Sequence, residues 1–463
     1  MKKSCLMIAL SLLLAAAPFT ACSDDDNGGD NNGGDNNGGD NNGGDNNGGD
    51  NNGEKTEIAK LIRSADQREQ SKLDDEHLAS FVNGQYDLNF ELLRAAKEEI
   101  EGKNAMISTF SIQTALAMVW AGANGDTANE MMQTLHFDDH THEALNKLDA
   151  TIMAKNKEAF DRDYEHKDPV EIKTSNNLYF SPIYTWQKDW LQTLAVNYDA
   201  GIWEMDFAAD PEKARQYIND VVSEDTHNRI NDLLPKNSIS NVTRSVITNA
   251  IYFKAPWEDN VYVSDTQLNF KKLDDSSVSV KGLRTSEYYA YMADEEAGYQ
   301  AVSLPLRDGD FNVMFVLPDE GKFDALMDDM NEQIINHIFD SYTHEAIIDL
   351  NFPAYTFDTE ISLKASLKHL GMNLPFADDA DFSKMTEEPN ALRISEVYHK
   401  TFIGLDEKGV EAAAATAVSM NDGAVMDPKI IKMSLDRPFF FVIYESETKT
   451  PLFVGRVMDP SQK

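Results

Sequence analysis

The chain has 463 residues and a formal net charge of −38, from 79 acidic and 41 basic side chains. Residues 1–53 hold eight aspartates and two lysines, so residues 54–463 still carry a net charge of −32. A body this acidic repels nucleic-acid phosphates and anionic lipid headgroups, which argues against nucleic acid as a partner and against electrostatic docking on membranes.

The only two cysteines, Cys5 and Cys22, both lie in the first 22 residues. The rest of the chain therefore has no disulfide, no thiol nucleophile and no thiolate ligand for a metal ion. The apolar share of the whole sequence, 41%, with 10% aromatic residues, is typical of a globular protein with a sizeable core.

The N-terminus has the layout of a secretory signal. Two lysines precede an apolar run from Leu6 to Ala17, which is too short for a comfortable membrane span. Small residues lead up to Cys22, and this ending resembles that of a bacterial lipoprotein signal. The resemblance implies a signal peptide over residues 1–21 and a lipidated Cys22. An export signal that is cleaved without lipidation is the alternative.

Residues 22–53 are predicted to form a flexible tether. Ser23–Asp26 resembles the acidic tag of some surface lipoproteins, although a solvated acidic start fits these residues nearly as well. Five copies of GGDNN then fill residues 28–52. Without apolar side chains such a segment cannot form a core, and about 30 residues of it reach roughly 30 Å. We expect an outer-membrane lipoprotein at the cell surface or on the periplasmic side, with the lipid as its only membrane contact.

The remaining residues, 54–463, contain no second low-complexity break and are predicted to form one domain. The stretch ISTFSIQTALAMVWAG (107–122) is apolar nearly all round, as in a buried helix. FNVMFVLP (311–318) and PFFFVIY (438–444) predict strands covered on both faces. AIIDLNF (346–352) alternates, as in a strand with one buried face.

One helix is predicted late in the chain, in TEISLKASLKHLG. Leu363, Leu367 and Leu370 have helical spacing, Thr359 is the expected N-cap and Gly371 the expected stop. Helices early in the chain and strands late, without regular alternation, predict an α+β fold.

The sequence lacks the common constellations of catalytic residues. It has no G-x-S-x-G, P-loop or dinucleotide-binding glycine motif. Asp138–His142, DDHTH, could bind a metal ion, but a solvated acidic loop is the favoured interpretation. We therefore predict no metal, no cofactor and no enzymatic activity.

Several apolar signatures, in their order along the chain, carry a family resemblance. They are NAMISTFSIQTALAMVWAGANGDTANEMMQTLHF (104–137), SNNLYF (175–180), TNAIYFKAPW (248–257), LPL (304–306), VLP (316–318), LNFPAYTFDTEISLKASLKHLGM (350–372), ISEVYHKTFIGLDEKGVEAAAATAV (394–418), RPFFFVIY (437–444) and PLFVGRVMDP (451–460). Over roughly residues 80–460 the chain thus resembles the serpins, serine protease inhibitors that act by loop insertion, although Thr109 stands where the family usually has proline. The resemblance implies three β-sheets, eight to nine helices, an exposed reactive centre loop and a monomer that traps a target protease covalently.

The stretch from Glu407 to Thr416 corresponds to the hinge of that loop. Its alanines taken alone favour a helix, but an inserting strand needs side chains that can be buried at every second position. Gly409 supplies backbone freedom where insertion starts, and the only charge after it, Glu411, is predicted to face solvent. The hinge residues on the face to be buried are Val410, Ala412, Ala414 and Thr416, and those on the other face are Glu411, Ala413 and Ala415.

Five further positions match family features of the central sheet. Ser108, Ser111, Asn249 and His399 match a buried polar cluster beneath the point where the central strands separate. The alternative is that these four are ordinary polar residues of the core. Trp257 matches an aromatic residue near the top of the sheet, where the loop enters.

The family interval from Gly409 places the reactive bond at Gly423-Ala424. Counting back from RPFFFVIY allows a later bond, after Val425 or Met426 and up to Asp427. This window has no lysine, arginine or large aromatic residue, which favours targets with shallow elastase-type or permissive subtilisin-type pockets. The alternative function is that of a non-inhibitory surface lipoprotein that uses the same fold as a binding or structural module.

Overall fold

The computed structural model describes residues 58–162, 170–388, 392–411 and 428–463. The described residues contain nine α-helices, most of them in the first half of the chain. They are α1 (Asp75–Ala95), α2 (Thr109–Trp120), α3 (Gly125–Thr134), α4 (Thr141–Arg162), α5 (Lys188–Tyr198), α6 (Pro211–Asp225), α7 (Phe323–Asp329), α8 (Glu332–Ser341) and α9 (Leu363–His369).

Nineteen strands occur in the same described ranges. They are β1 (Ala59–Ile62), β2 (Ala105–Ile107), β3 (Glu171–Phe180), β4 (Ile202–Met205), β5 (Ser245–Pro256), β6 (Tyr262–Val263), β7 (Leu268–Lys271), β8 (Ser277–Val280), β9 (Gly282–Glu287), β10 (Ala290–Asp294), β11 (Tyr299–Pro305), β12 (Phe311–Pro318), β13 (Ile347–Pro353), β14 (Tyr355–Ser362), β15 (Val397–Asp406), β16 (Gly409–Val410), β17 (Ile430–Ser434), β18 (Phe439–Glu445) and β19 (Pro451–Val457).

The strands assemble into three large sheets and a small ribbon. The main sheet has seven strands in the order β1-β4-β3-β5-β16-β15-β14. A six-stranded sheet follows the order β10-β11-β12-β18-β19-β2, and a four-stranded sheet the order β17-β13-β9-β6. The predicted α+β fold with three sheets and eight to nine helices is confirmed, and the two-stranded ribbon β7-β8 is an addition to it.

Helix α2 lies between two of the sheets. It packs against β3 and β5 of the main sheet and against β19 of the six-stranded sheet. Ser108 begins the helix as its N-cap, and its hydroxyl accepts a hydrogen bond from the Ser111 backbone N–H. The prediction of a helix buried on almost every side is confirmed, because residues 109–113 and 115–119 are all buried.

The strand predictions for the later part of the chain are also confirmed. Every residue of β18 is buried, and so is every residue of β12 except Asn312. On β13, Ile348, Leu350 and Phe352 are buried while the residues between them are partly exposed. Continuous apolar runs thus lie inside the six-stranded sheet, and the alternating run lies on the four-stranded sheet.

The predicted N-cap of the late helix is wrong. Helix α9 begins at Leu363, and Thr359 lies inside strand β14, paired with Thr401 of β15. The Thr359 hydroxyl accepts a hydrogen bond from the Met106 backbone N–H at 3.0 Å. Tertiary pairing therefore holds the residues before Leu363 as a strand, and the leucines with helical spacing all lie in α9 or at its C-cap.

Across the four described ranges, no helix is long and apolar enough to cross a membrane.

Candidate functional site: the hinge in the main sheet

The two central strands of the main sheet are paired at one end and parted at the other. β5 and β15 run parallel and pair from Ile247–Val397 to Ile251–Thr401. Beyond that point β16 lies between them, antiparallel to both: Val410 is opposite Leu405 of β15 and Ala255 of β5. Gly409 and Val410 of the predicted hinge thus already form a strand of the sheet.

Gly409 is required by the close approach of β16 to β5. Its φ of +148° is a backbone conformation that side chains of L-amino acids rarely adopt. A Cβ atom at this position would lie 2.6 Å from the Pro256 Cα and would also overlap the Ala255 carbonyl oxygen. Both obstacles are backbone atoms, which cannot move aside without separating the strands.

The next residue, Val410, faces the apolar core. It is 2% exposed and belongs to the main cluster of buried hydrophobic residues. In the predicted alternation of the hinge, Val410 is the first side chain on the face to be buried.

Glu411 lies on the opposite face, but it does not face solvent as we expected. Its side chain is only 8% exposed and forms an ion pair with Arg229, which belongs to the segment between α6 and β5. The Glu411 backbone N–H donates a hydrogen bond to the Gly404 carbonyl at 2.6 Å. Burial raises the pKa of the Glu411 carboxyl above its ordinary value, and Arg229 opposes that shift.

Contacts at the top of the sheet fix the turn that precedes β16. The Trp257 indole N–H donates to the Asp406 carbonyl at 2.9 Å, and its backbone N–H donates to the Lys408 carbonyl at 3.1 Å. Glu407 forms an ion pair with Lys281, with 2.5 Å between carboxylate oxygen and amine nitrogen. The structure therefore brings Trp257 and Glu407 to the entrance where β16 enters the sheet.

The four residues of the predicted polar cluster lie together under the paired end of β5 and β15. Asn249 and His399 are opposite each other on the two strands, and the His399 Nδ1 is 2.6 Å from the Asn249 Oδ1. The Asn249 amide donates to the Ser111 hydroxyl at 2.5 Å, and the Ser108 backbone N–H donates to the His399 Nε2 at 3.3 Å. All four side chains are buried.

The sequence analysis missed one member of this cluster. Asn176 of β3 lies opposite Asn249 of β5, and its side-chain oxygen accepts hydrogen bonds from the Asn249 amide and the Ser111 hydroxyl. Asn176 stands in the family-like stretch SNNLYF, but that stretch alone did not indicate which of its polar residues turns inward. The strand register decides this.

The protonation state of His399 follows from its surroundings. Burial lowers the pKa of His399 to about 3, so the ring is neutral near pH 7. Because Nε2 accepts from the Ser108 N–H, the ring hydrogen is on Nδ1, which donates to Asn249. This neutral hydrogen bond is a direct side-chain link between β5 and β15, the strands that would have to part for insertion.

Other predicted positions lie outside the described residues: the hinge residues Ala412, Ala413, Ala414, Ala415 and Thr416, the reactive-bond candidates Gly423, Ala424, Val425 and Met426, and the lipidation site Cys22.

The DDHTH stretch takes part in packing. His142 lies against Trp120 and contacts the Tyr198 hydroxyl, and burial lowers the pKa of His142 to about 4. Among the residues that the structure describes, no group of three or more histidine, cysteine or carboxylate side chains is placed to hold a metal ion.

The structure is a three-sheet α+β fold in which two residues of the connection between β15 and β17 lie between the central strands of the main sheet. The chain belongs to the serpin family: the family model, described as serine protease inhibitor, matches residues 83–460. Members of this family are typically inhibitors of proteases rather than catalysts.

Individual relatives and structures agree with this assignment. An uncharacterised serpin-like protein of Thermococcus kodakarensis is 34% identical over 387 residues, which are 82% of this chain and 85% of that protein. Leukocyte elastase inhibitor of Bos taurus is 30% identical, covering 80% of this chain and 97% of its own length. The native structure of tengpin, a thermophilic serpin, is similar with a TM-score of 0.72 and 25% identity, over 86% of this chain and 100% of tengpin.

Proposed function

We propose that the protein is a suicide-substrate inhibitor of endopeptidases, of the serine type, and that it traps its target by inserting the cleaved loop into the main sheet. The observation that carries this proposal is β16, because Gly409 and Val410 already lie between β5 and β15 in the antiparallel register that a new strand would continue. The inhibitor itself needs no catalytic group.

The covalent step uses the chemistry of the target. The protease serine attacks a loop carbonyl and forms an ester with it, while the peptide bond breaks and the new amino terminus leaves. Water would normally hydrolyse this ester and release the protease. Trapping therefore depends on insertion of the loop before hydrolysis takes place.

The register of β16 indicates how far insertion can run before strand pairs must break. If the pairing continues beyond Val410, residues 411–413 fill the space in which β5 and β15 are already apart. Ala414 is then the first residue to replace an existing pair, Ile251–Thr401. The first three steps of insertion displace no hydrogen-bonded pair, which favours a rapid start.

The same register brings a polar hinge residue to the polar cluster. Thr416 falls on the buried face, between Asn249 and His399, whose mutual hydrogen bond must break when the strands part. A threonine hydroxyl can both donate and accept, so it can satisfy both side chains in the inserted state. An unpaired buried polar group would otherwise cost about 1–3 kcal/mol.

The target class follows from the loop sequence. We propose Gly423-Ala424 as the reactive bond, with cleavage after Val425 or Met426 as the alternative within the same class. These residues suit the shallow pocket of an elastase-type protease or the permissive pocket of a subtilisin-type protease. The similarity to a protein named leukocyte elastase inhibitor supports the elastase-type choice.

The test is to mix purified residues 54–463 with elastase-type and subtilisin-type proteases. A 1:1 complex that survives SDS and heat supports the proposal, and mass spectrometry of the released loop peptide gives the bond. Protease whose serine has been blocked beforehand must give no such complex. The matched variant is Ala412→Arg, which puts a charge on the face to be buried and should be cleaved without forming complex. Clean cleavage of the unmodified protein, with full protease activity afterwards, contradicts inhibition and favours a binding module.

We also propose that the protein is exported and anchored through a lipid on Cys22, with residues 22–53 as the tether. Metabolic labelling with a radioactive fatty acid should mark the full-length protein and not its Cys22→Ser variant. Protease added to intact cells should remove the protein if it faces outward. Protection until the outer membrane is permeabilised would place it on the periplasmic side.

A further inference from the structure

The segment between α6 and β5 covers the hinge and supplies a positive charge to it. Arg229 of this segment forms the ion pair with Glu411, and its guanidinium also lies 5.5 Å from the centre of the Phe402 ring on β15. The Arg229 side chain is 51% exposed, whereas that of Glu411 is 8% exposed. The carboxylate is therefore taken out of water while the guanidinium remains partly in it.

Burying a carboxylate is unfavourable unless a positive charge or several hydrogen bonds compensate it. The Arg229 Nε contacts one oxygen of the Glu411 carboxylate, and this ion pair is the main compensation for its burial. Lys254 and His227 lie near enough to act on the same carboxyl, more weakly than Arg229. Entry of the hinge into the sheet thus places a charge beneath this segment.

The geometry points to Arg229 as a positioning residue for loop insertion: it neutralises Glu411 beneath the covering segment and so allows the hinge to enter and to stay in the main sheet. This inference rests on the proposed function. Strand β16 ends at Val410, and Glu411 has a positive φ of +53°, so Glu411 must become extended when the following residues enter. Once it is extended, the alternation of a strand places its side chain on the face opposite to Val410, which is the face that Arg229 covers.

The test is a double-mutant cycle in which the two charges of the ion pair are removed singly and together. We would prepare Arg229→Gln, Glu411→Gln and the double variant, with Arg284→Gln as the matched control. Arg284 is 60% exposed and forms an ion pair with Asp349, away from the main sheet. For each variant the ratio of cleaved inhibitor to SDS-stable complex is measured with one protease. The melting temperature of the uncleaved protein is recorded beside it.

Arg229→Gln leaves a buried carboxylate without its main partner, so the ratio of cleaved inhibitor to complex should rise about fivefold, the effect of a partly exposed ion pair. The double variant has no charge to bury and should return to within about twofold of the unmodified protein. Arg284→Gln should change nothing. An unchanged ratio in Arg229→Gln, or a double variant as impaired as Arg229→Gln alone, overturns the inference.

A second measurement separates this inference from the proposed function. If the unmodified protein forms no complex with any protease, the proposed function fails, but loop insertion can still be followed. Cleavage within the loop by any protease allows the loop to join the sheet, and the rate at which a form with a higher melting temperature appears reports insertion. The same pattern of loss in Arg229→Gln and recovery in the double variant is expected in that rate, and its absence contradicts the role of Arg229.

Discussion

Replacing Val410 by glutamate tests the alternation of the hinge most directly. Val410 is 2% exposed and contacts the apolar core, so its burial contributes about 1.5–3 kcal/mol. A carboxylate at the same place loses that contribution and adds a desolvation cost of several kcal/mol. In the uncleaved protein the hinge can avoid this cost by leaving the sheet. In the trapped complex residue 410 must be in the sheet, so the full cost opposes insertion.

If only about 2 kcal/mol of that cost appears in the barrier to insertion, insertion slows about 30-fold. Val410→Glu should therefore be cleaved as a substrate, with at least a tenfold higher ratio of cleaved inhibitor to SDS-stable complex, roughly 1.4 kcal/mol. Lys408→Glu is the matched control, because it introduces the same charge at an exposed position two residues away. A ratio for Val410→Glu equal to that of Lys408→Glu would refute the alternation argument.

Two further predictions concern the same sheet. Gly409→Ala places a Cβ against Pro256 and Ala255, so β16 should leave the sheet, and the melting temperature of the uncleaved protein should fall by a few degrees, as for about 2 kcal/mol. An unchanged melting temperature would show that β16 adds nothing to native stability. His399 has its pKa lowered to about 3, so between that pH and about 6.5 the unfolded chain binds more protons, and stability falls as the pH is lowered. Urea denaturation at pH 7 and pH 5 should show a loss of about 2 kcal/mol from this group, absent in His399→Gln, and equal pH dependence in both proteins would contradict the assignment.

Local patterns determined much of the fold before any contact was known. The apolar stretches 311–318 and 438–444 could be assigned as strands because runs of this length and composition pack only when both faces are covered. The helix over 109–120 followed from an apolar surface on nearly every side. Thr359 shows the limit of such reasoning, since a good capping residue at helical spacing lies in a strand because β15 pairs with it.

Likewise, only some residues of the candidate site could be predicted from the sequence. Val410 and Gly409 could be assigned to the hinge because alternation and glycine chemistry are properties of the chain itself. Asn176 and Arg229 could not be found, because each acquires its role from a residue more than 70 positions away along the chain. Without coordinates, neither residue differs from any other polar side chain of its kind.

The sequence by itself determined that the hinge can form a strand of the sheet, because the side chains at every second position are small or uncharged and can be buried. Only the tertiary structure decided how many hinge residues already lie in the sheet and which side chain compensates the buried charge of Glu411. β16 is inserted by two residues, and Glu411 lies under a covering segment instead of facing water. The physical reason is that the burial of a charge, and the partner that compensates it, are set by the elements that pack over a strand, and the alternation of that strand carries no information about them.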